Sequence, residues 1–326
     1  MIKDYKIYDD LVENLCKELR DILIKIPNQY KNKIEEIRLR NGRPLAISYE
    51  GKDYFISSDG SVSNNTNNSF IVNEEHINST FQLISNYSPY AYVEEIKKGY
   101  VTISGGHRVG IGGKVVYGPN GIENIKNISS LNIRVGREKI GISDNVISYL
   151  MEGTNMFYNS LIVSPPQCGK TTLLRDIIRN LSNGIKGSKG FKISIIDERS
   201  ELAGMYRGIP QNDVGIRTDI LDGCLKYDGI MMAIRALSPD IIGVDEIGSK
   251  KDVEAIHEAL RAGIKLISTI HGSNLKEIME KRSMEELFRE KIFQRFIILD
   301  RSRGVGTIRE IIDGQNLKPI HIEKRE

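Results

Sequence analysis

The stretch Ser160-Leu-Ile-Val-Ser-Pro-Pro-Gln-Cys-Gly-Lys-Thr-Thr172 constrains the fold of this chain more than any other. Leu161, Ile162 and Val163 form an apolar run that predicts a buried strand. Leu173, Leu174, Ile177 and Ile178 set a helical spacing directly after it. Between them, Gly169-Lys-Thr-Thr172 reads as the turn of a phosphate-binding loop. Backbone N–H groups at such a helix start point outward and favour an anion. On this reading Ser164, Pro165, Pro166, Gln167, Cys168, Gly169, Lys170, Thr171 and Thr172 line a nucleotide, ATP with Mg²⁺. Lys170 reaches the β- and γ-phosphates and the Thr171 hydroxyl lies on the metal. The pattern G-x-x-x-x-G-K-[ST] has Gly where this chain has Ser164, and Gln167 stands where another Gly is frequent. Ser can follow the loop only if its φ stays out of the positive region.

A second constellation lies downstream. Asp240-Ile-Ile-Gly-Val-Asp-Glu246 is an apolar strand that ends in two acids. In phosphate-loop ATPases an acid in this place supports Mg²⁺, and its neighbour can polarise the attacking water. That assigns Asp245 to the metal and Glu246 to the water. The alternative, a strand that simply ends in a polar turn, leaves the two adjacent acids unexplained. Ile193-Ser-Ile-Ile-Asp-Glu-Arg-Ser-Glu201 ends a further strand in acids, and Thr269-Ile-His-Gly272 ends a fourth. Ligands of an open parallel sheet bind at the carboxyl ends of its strands, so Asp197, Glu198, Glu201 and His271 should face the crevice of Lys170. His271 reads equally as a structural histidine or as a γ-phosphate sensor. Among Arg207, Arg217 and Arg235, Arg217 is the preferred arginine to complete a site from a neighbouring subunit.

From Leu161 onward strand and helix patterns alternate, which predicts a parallel α/β sheet. Strands are expected at 161–163, 191–196, 241–244, 264–270 and 296–299, and helices at 171–181, 252–262 and 274–281. A terminal hairpin should pair 307–312 with 319–322. The first half reads differently. Leu11, Leu15, Leu19, Ile22 and Ile26 predict one amphipathic helix that ends near Pro27, with Asp9 and Asp10 as possible caps. Short strands follow at 34–40, 45–49 and 54–56, then an Asn- and Ser-rich loop at 57–69. A helix capped by Asn73 should span 74–85. A strand at 100–104 leads into the glycine-rich segment 105–114, whose His107 and Arg108 either face a nucleotide across a subunit boundary or, as preferred, form a solvated hairpin tip. The expected division is a smaller α+β domain over 1–140, a linker over 141–158 with a bridging helix near 146–151, and a RecA-like phosphate-loop domain over 159–326.

Composition excludes several classes. Charged residues make up 27% and hydrophobic residues 40%, which is ordinary for a soluble globular chain. The net charge is only +3, too small a field for wrapping nucleic acid. No apolar run approaches a membrane span, and no signal peptide is expected. Cys16, Cys168 and Cys224 lack metal-ligand spacing and suit a reducing compartment, so a cytoplasmic location is expected.

Taken together, Ser164-Pro-Pro-Gln-Cys-Gly-Lys-Thr-Thr172, Ile196-Asp-Glu-Arg-Ser-Glu-Leu202, Gln211-Asn-Asp-Val-Gly-Ile-Arg-Thr218, Ser238-Pro-Asp-Ile-Ile-Gly-Val-Asp-Glu-Ile-Gly248 and Thr269-Ile-His-Gly272 resemble the stage III sporulation protein AA family of endospore-forming bacteria. Ile34-Glu-Glu-Ile-Arg-Leu-Arg-Asn-Gly-Arg-Pro-Leu45 is similar to that family's N-terminal domain, so the resemblance covers nearly the whole chain. The family belongs with the ATPases of type II and type IV secretion and of pili. The resemblance implies ATP hydrolysis by a homo-hexameric ring on the mother-cell side of the channel between mother cell and forespore. It implies membrane proteins of that channel as partners, peripheral association through them, and no nucleic acid. It places Gly169, Lys170 and Thr171 in the phosphate loop and Glu198 and Glu201 in an acidic box where a glutamate activates water. Asp245 and Glu246 fall in the second acidic motif, and His271 in a histidine box. Two other readings compete with it: a non-catalytic nucleotide-dependent scaffold, motivated by Ser164 and Gln167, and a nucleic-acid-stimulated ATPase on the same core.

Overall fold

The computed structural model describes residues 2–321 apart from positions 120, 186 and 188. The chain divides into two units. The first runs through Arg137 and includes Tyr206–Gln211; the second holds Glu138–Met205 and the chain from Asn212 onward.

The first unit is built on a seven-stranded antiparallel sheet. Its order is Val62–Ser63, Lys52–Ile56, Ala46–Tyr49, Ile34–Arg40, Gly121–Arg134, His107–Gly118, Tyr100–Ile103. Alternation writes this register into the sequence: Ile37 and Leu39 are buried while their neighbours are not, and Ile37 pairs with Ile47 and Ile133. The expected single N-terminal helix is two helices, Ile2–Val12 and Lys17–Leu23. Leu11, Leu15, Leu19, Ile22 and Ile26 are all buried, so the spacing identified the core face. The break comes at Asn14, whose side-chain amide donates to the Asp10 and Leu11 carbonyls and ends the first helix. The Cys16 N–H then donates to Thr80 Oγ1, at 3.2 Å. Asp9 and Asp10 lie inside the first helix and cap nothing. Helix Glu74–Ile84 starts at Asn73 with a reciprocal capping box in which His76 replaces the usual acid.

His107 corrects a second expectation. The tight turn is Ser104–Gly106, and His107 begins the next strand, 1% exposed, with Nδ1 accepting the Gly136 N–H at 3.0 Å. Burial first, and the nearby Arg137 charge second, push its imidazole down to about 4. Arg108 lies over the Tyr100 ring at 3.4 Å.

The second unit carries an eight-stranded sheet in the order Thr218–Asp222, Ile193–Asp197, Ile241–Val244, Lys265–His271, Ser160–Ser164, Arg295–Asp300, Thr307–Asp313, Pro319–Ile320. The first six strands are mutually parallel and the last two antiparallel. Ser160–Ser164, Ile193–Asp197 and Ile241–Val244 are buried at every position, which explains their unbroken apolar runs. Helix Lys170–Asn183 follows the strand Ser160–Ser164 and helix Lys250–Arg261 follows Ile241–Val244. Several described elements lay outside the expected set, among them strand Thr218–Asp222, helices Lys226–Ala236 and Glu285–Arg289, and the paired strands Met151–Glu152 and Met156–Phe157. Residues 141–158, expected as a linker, belong to this unit; Val146, Ile147, Leu150 and Phe157 are buried in its core, and the bridging helix is a single 3-10 turn, Ile147–Leu150. The terminal hairpin forms, although Ile322 lies outside the described residues, as do Lys186 and Ser188 of the loop before Gly190. No helix among the described residues is long and apolar enough to cross a membrane.

Candidate active site

Parallel pairing decides which residues meet. Ser164 is in register with His271, and Asp197 with Asp222, so the carboxyl ends of these strands lie along one edge of the sheet. Asp245 and Glu246 follow directly after Val244 on the same edge. Ser164 is buried, does not have positive φ, and donates its hydroxyl to the Pro165 carbonyl at 2.8 Å. It can therefore stand where Gly is usual. The positive φ falls instead on Gln167, at 57°, and on Gly169, at 85°. Gly169 is the residue before helix Lys170–Asn183, and no side chain caps that helix start, which leaves its first N–H groups turned outward. A Cβ on Gly169 would stand 3.3 to 3.4 Å from Val305 and Gly306 as well as being strained. Pro166 and Gln167 are exposed, whereas the Cys168 side chain is buried in the core, so only its backbone faces the loop. Bonds from the turn after Arg295–Asp300 hold the loop. Arg301 Nη2 donates to the Gln167 carbonyl at 2.7 Å, and the Gly306 N–H donates to the Cys168 carbonyl at 3.0 Å.

Opposite the loop, the Thr171 hydroxyl donates to Asp245 Oδ2 at 2.8 Å, and Lys170 Nζ meets Glu246 Oε2 at 3.2 Å. Thr269, which sequence reasoning did not assign, organises the pair: its hydroxyl donates to Asp245 Oδ1 and accepts the Glu246 N–H, the latter at 2.9 Å. Glu246 sits at φ 56°, a conformation that lifts its carboxylate toward Lys170. Burial pushes this carboxyl up, but Lys170, then Arg199 at 3.6 Å and His271 at 3.9 Å, outweigh it and hold it below the usual range.

The other acids do different work. Asp197 accepts the N–H groups of Glu201, Leu202 and Ala203, each at 2.9 Å, and so closes the turn after its strand; burial nevertheless pushes it up to about 6. Glu198 is paired with Lys226 Nζ. The Glu201 carbonyl accepts from the Arg175 guanidinium, which also binds the Leu202 carbonyl, so Arg175 on the phosphate-loop helix braces the acidic turn. Arg217, the arginine expected to act on a neighbouring subunit, does not face the Lys170 of its own chain. It precedes Thr218 at the amino end of its strand, on the edge of the sheet away from Lys170, where its guanidinium donates to the Ser182 carbonyl. Arg235 is exposed on helix Lys226–Ala236, and Arg207 lies in the first unit.

The oxygen donors of Thr171 and Asp245 are the kind Mg²⁺ takes, and they are within hydrogen-bond distance of each other, so the residues present fit that ion.

The family described as "Sporulation stage III, protein AA" matches residues 6–318. This chain belongs to that family. It is 41% identical to stage III sporulation protein AA of Bacillus subtilis (strain 168) over 305 residues, 94% of this chain and 95% of that one. Among solved structures it is similar to the pilus retraction motor PilT with bound ADP, at a TM-score of 0.53 and 18% identity, covering 81% of this chain and 74% of that one. It is similar also to the Legionella pneumophila ATPase DotB, at 0.52 and 16%, covering 82% and 72%. At these identities the structural likeness shows the fold alone, shared with PilT and DotB, and the family match shows a member of the stage III sporulation protein AA family.

Proposed function

We propose that this chain hydrolyses ATP to ADP and phosphate, and that it does so as a ring-forming motor at a membrane channel built during sporulation. The observation that carries the reading is the double pairing of adjacent residues across the crevice, Lys170 with Glu246 and Thr171 with Asp245. The outward N–H groups after Gly169 and the Lys170 ammonium bind the phosphates of ATP. Thr171 and Asp245 would hold Mg²⁺, which would supply positive charge against the phosphates. Glu246, with Arg199 and His271 also beside it to favour the carboxylate, accepts a proton from the attacking water. Phosphate binding draws Lys170 away from Glu246 and frees that carboxylate for the water. His271 is within reach of Glu246 and of the same edge, and it orients the water or the γ-phosphate. Glu198, neutralised by Lys226, is the weaker candidate for the base. Membrane proteins of the channel and a homo-hexameric assembly on the cytoplasmic, mother-cell side complete the proposal.

Phosphate release by the purified protein tests it. Wild type is expected to release phosphate from ATP in the presence of Mg²⁺, and Lys170→Ala to lose both ATP binding and release. Wild-type protein that binds ATP and releases no phosphate would favour the scaffold reading.

A further inference from the structure

We propose a divalent transition-metal site, of the zinc type, between helix Lys250–Arg261 and the short helix Glu285–Arg289, away from the nucleotide crevice. His257 projects from the first helix, Glu286 from the second, and Glu290, four residues on, is the residue that ends the second. A ring nitrogen and one oxygen from each carboxylate lie within 4.8 Å of one another. Imidazole nitrogen with two carboxylates is a ligand set that suits zinc, whose bonds of about 2.1 Å put neighbouring donors about 3.4 Å apart. Rotation of the two half-exposed glutamates closes that difference.

Two observations beyond the ligand set point to a cation. The first is the imidazole itself. Nε2 is buried and has no hydrogen-bond partner, and the nearest carboxylate oxygens stand 3.6 Å from Nε2 and 3.7 Å from Nδ1. Those separations are too long for hydrogen bonds. A buried polar atom left without a bond is costly, and a metal would satisfy it. The second is the charge around it. The cleft has a volume of about 550 Å³, and Glu254 and Glu258 also line it. Among the described residues that line it, Arg261 is the cation, and it is already bound to Glu258 at 2.6 Å. Glu254, Glu286 and Glu290 thus surround one imidazole with an excess of negative charge. Bound metal would join the two helices, and the first of these starts just after Asp245 and Glu246.

The test uses the full chain, stripped by a chelator and free of nucleotide, titrated with zinc by calorimetry and with cobalt by visible absorption. One ion per chain is expected, with cobalt bands of an imidazole–carboxylate site and a rise in thermal midpoint on zinc addition. His257→Ala should abolish the bands, and Glu290→Gln should weaken zinc binding by about tenfold or more. Circular dichroism checks folding; if His257→Ala is unfolded, Glu290→Gln at the exposed helix end decides alone. No ion bound to the wild type, or zinc affinity equal in wild type and Glu290→Gln, would overturn the proposal.

Discussion

Thr269 shows how much of the site depends on a residue without charge. Its hydroxyl holds Asp245 on one side and the Glu246 N–H on the other. Thr269→Val keeps the shape and removes both bonds. The Glu246 N–H then loses its acceptor, at a cost of about 1–3 kcal/mol. Displacement of the two acids should lower phosphate release by about 10²-fold, because small misplacements are that costly in a positioned site. A turnover within a factor of two of wild type would show that the acids hold their places unaided. The sequence marked Lys170 and Thr171 by the Gly-Lys-Thr turn between strand and helix, and Asp245 and Glu246 because they are the polar end of an apolar run. Thr269 was hidden because it lies inside the run, one of five consecutive buried residues in Lys265–His271. His107 illustrates the reverse error: glycines on its left and right read as a solvated tip, while strand pairing buries it. Its folded-state value of about 4, against an ordinary 6.5, means that the unfolded chain takes up the proton first as pH falls. The contribution to stability is complete above pH 6.5, is lost as pH falls toward 4, and amounts to roughly 3 kcal/mol. Urea denaturation of His107→Gln should therefore show a smaller loss of stability from pH 7 to 4.5 than wild type does. Equal losses in the two proteins would contradict the burial argument.

Among the elements, the strands that pack on both faces were legible as continuous apolar runs, and the antiparallel ones as alternation. Thr218–Asp222 was not, because it is the edge of its sheet and carries only Ile220 and Leu221 between acids. Helix Lys226–Ala236 was masked by Gly229, a poor helix former. A Cβ there would stand 2.5 Å from Ile196 and 2.7 Å from Cys224, so the glycine serves close helix–sheet packing. Without strand Thr218–Asp222, the direction of the chain at Arg217 could not be read. The turn 301–306 is the element whose role the sequence left unmarked. Arg301→Ala removes the bond to the Gln167 carbonyl and should loosen the phosphate loop. Affinity for a fluorescent ATP analogue is expected to fall about five- to tenfold, the effect of about 1–1.4 kcal/mol, with the thermal midpoint almost unchanged. An unaltered affinity would show that the loop is set by its own backbone and by the bond from Gly306.

At the scale of the whole chain, two units of different construction were visible as a change of pattern, an antiparallel sheet before Arg137 and a largely parallel one after it. The stretch between them was harder to place: its few apolar residues, Val146, Ile147, Leu150 and Phe157, are spaced too irregularly to announce that they complete the second core. A net charge of +3 gives the molecule no broad cationic field. We propose that ATP is hydrolysed in the crevice at the carboxyl edge of the second sheet. The most direct measurement compares steady-state phosphate release by wild type and Glu246→Gln at equal, saturating occupancy by ATP. Loss of the proton acceptor with the phosphate-binding groups intact predicts ATP affinity near that of wild type and turnover lower by about 10²- to 10⁴-fold. Equal turnover in the two proteins would contradict the account.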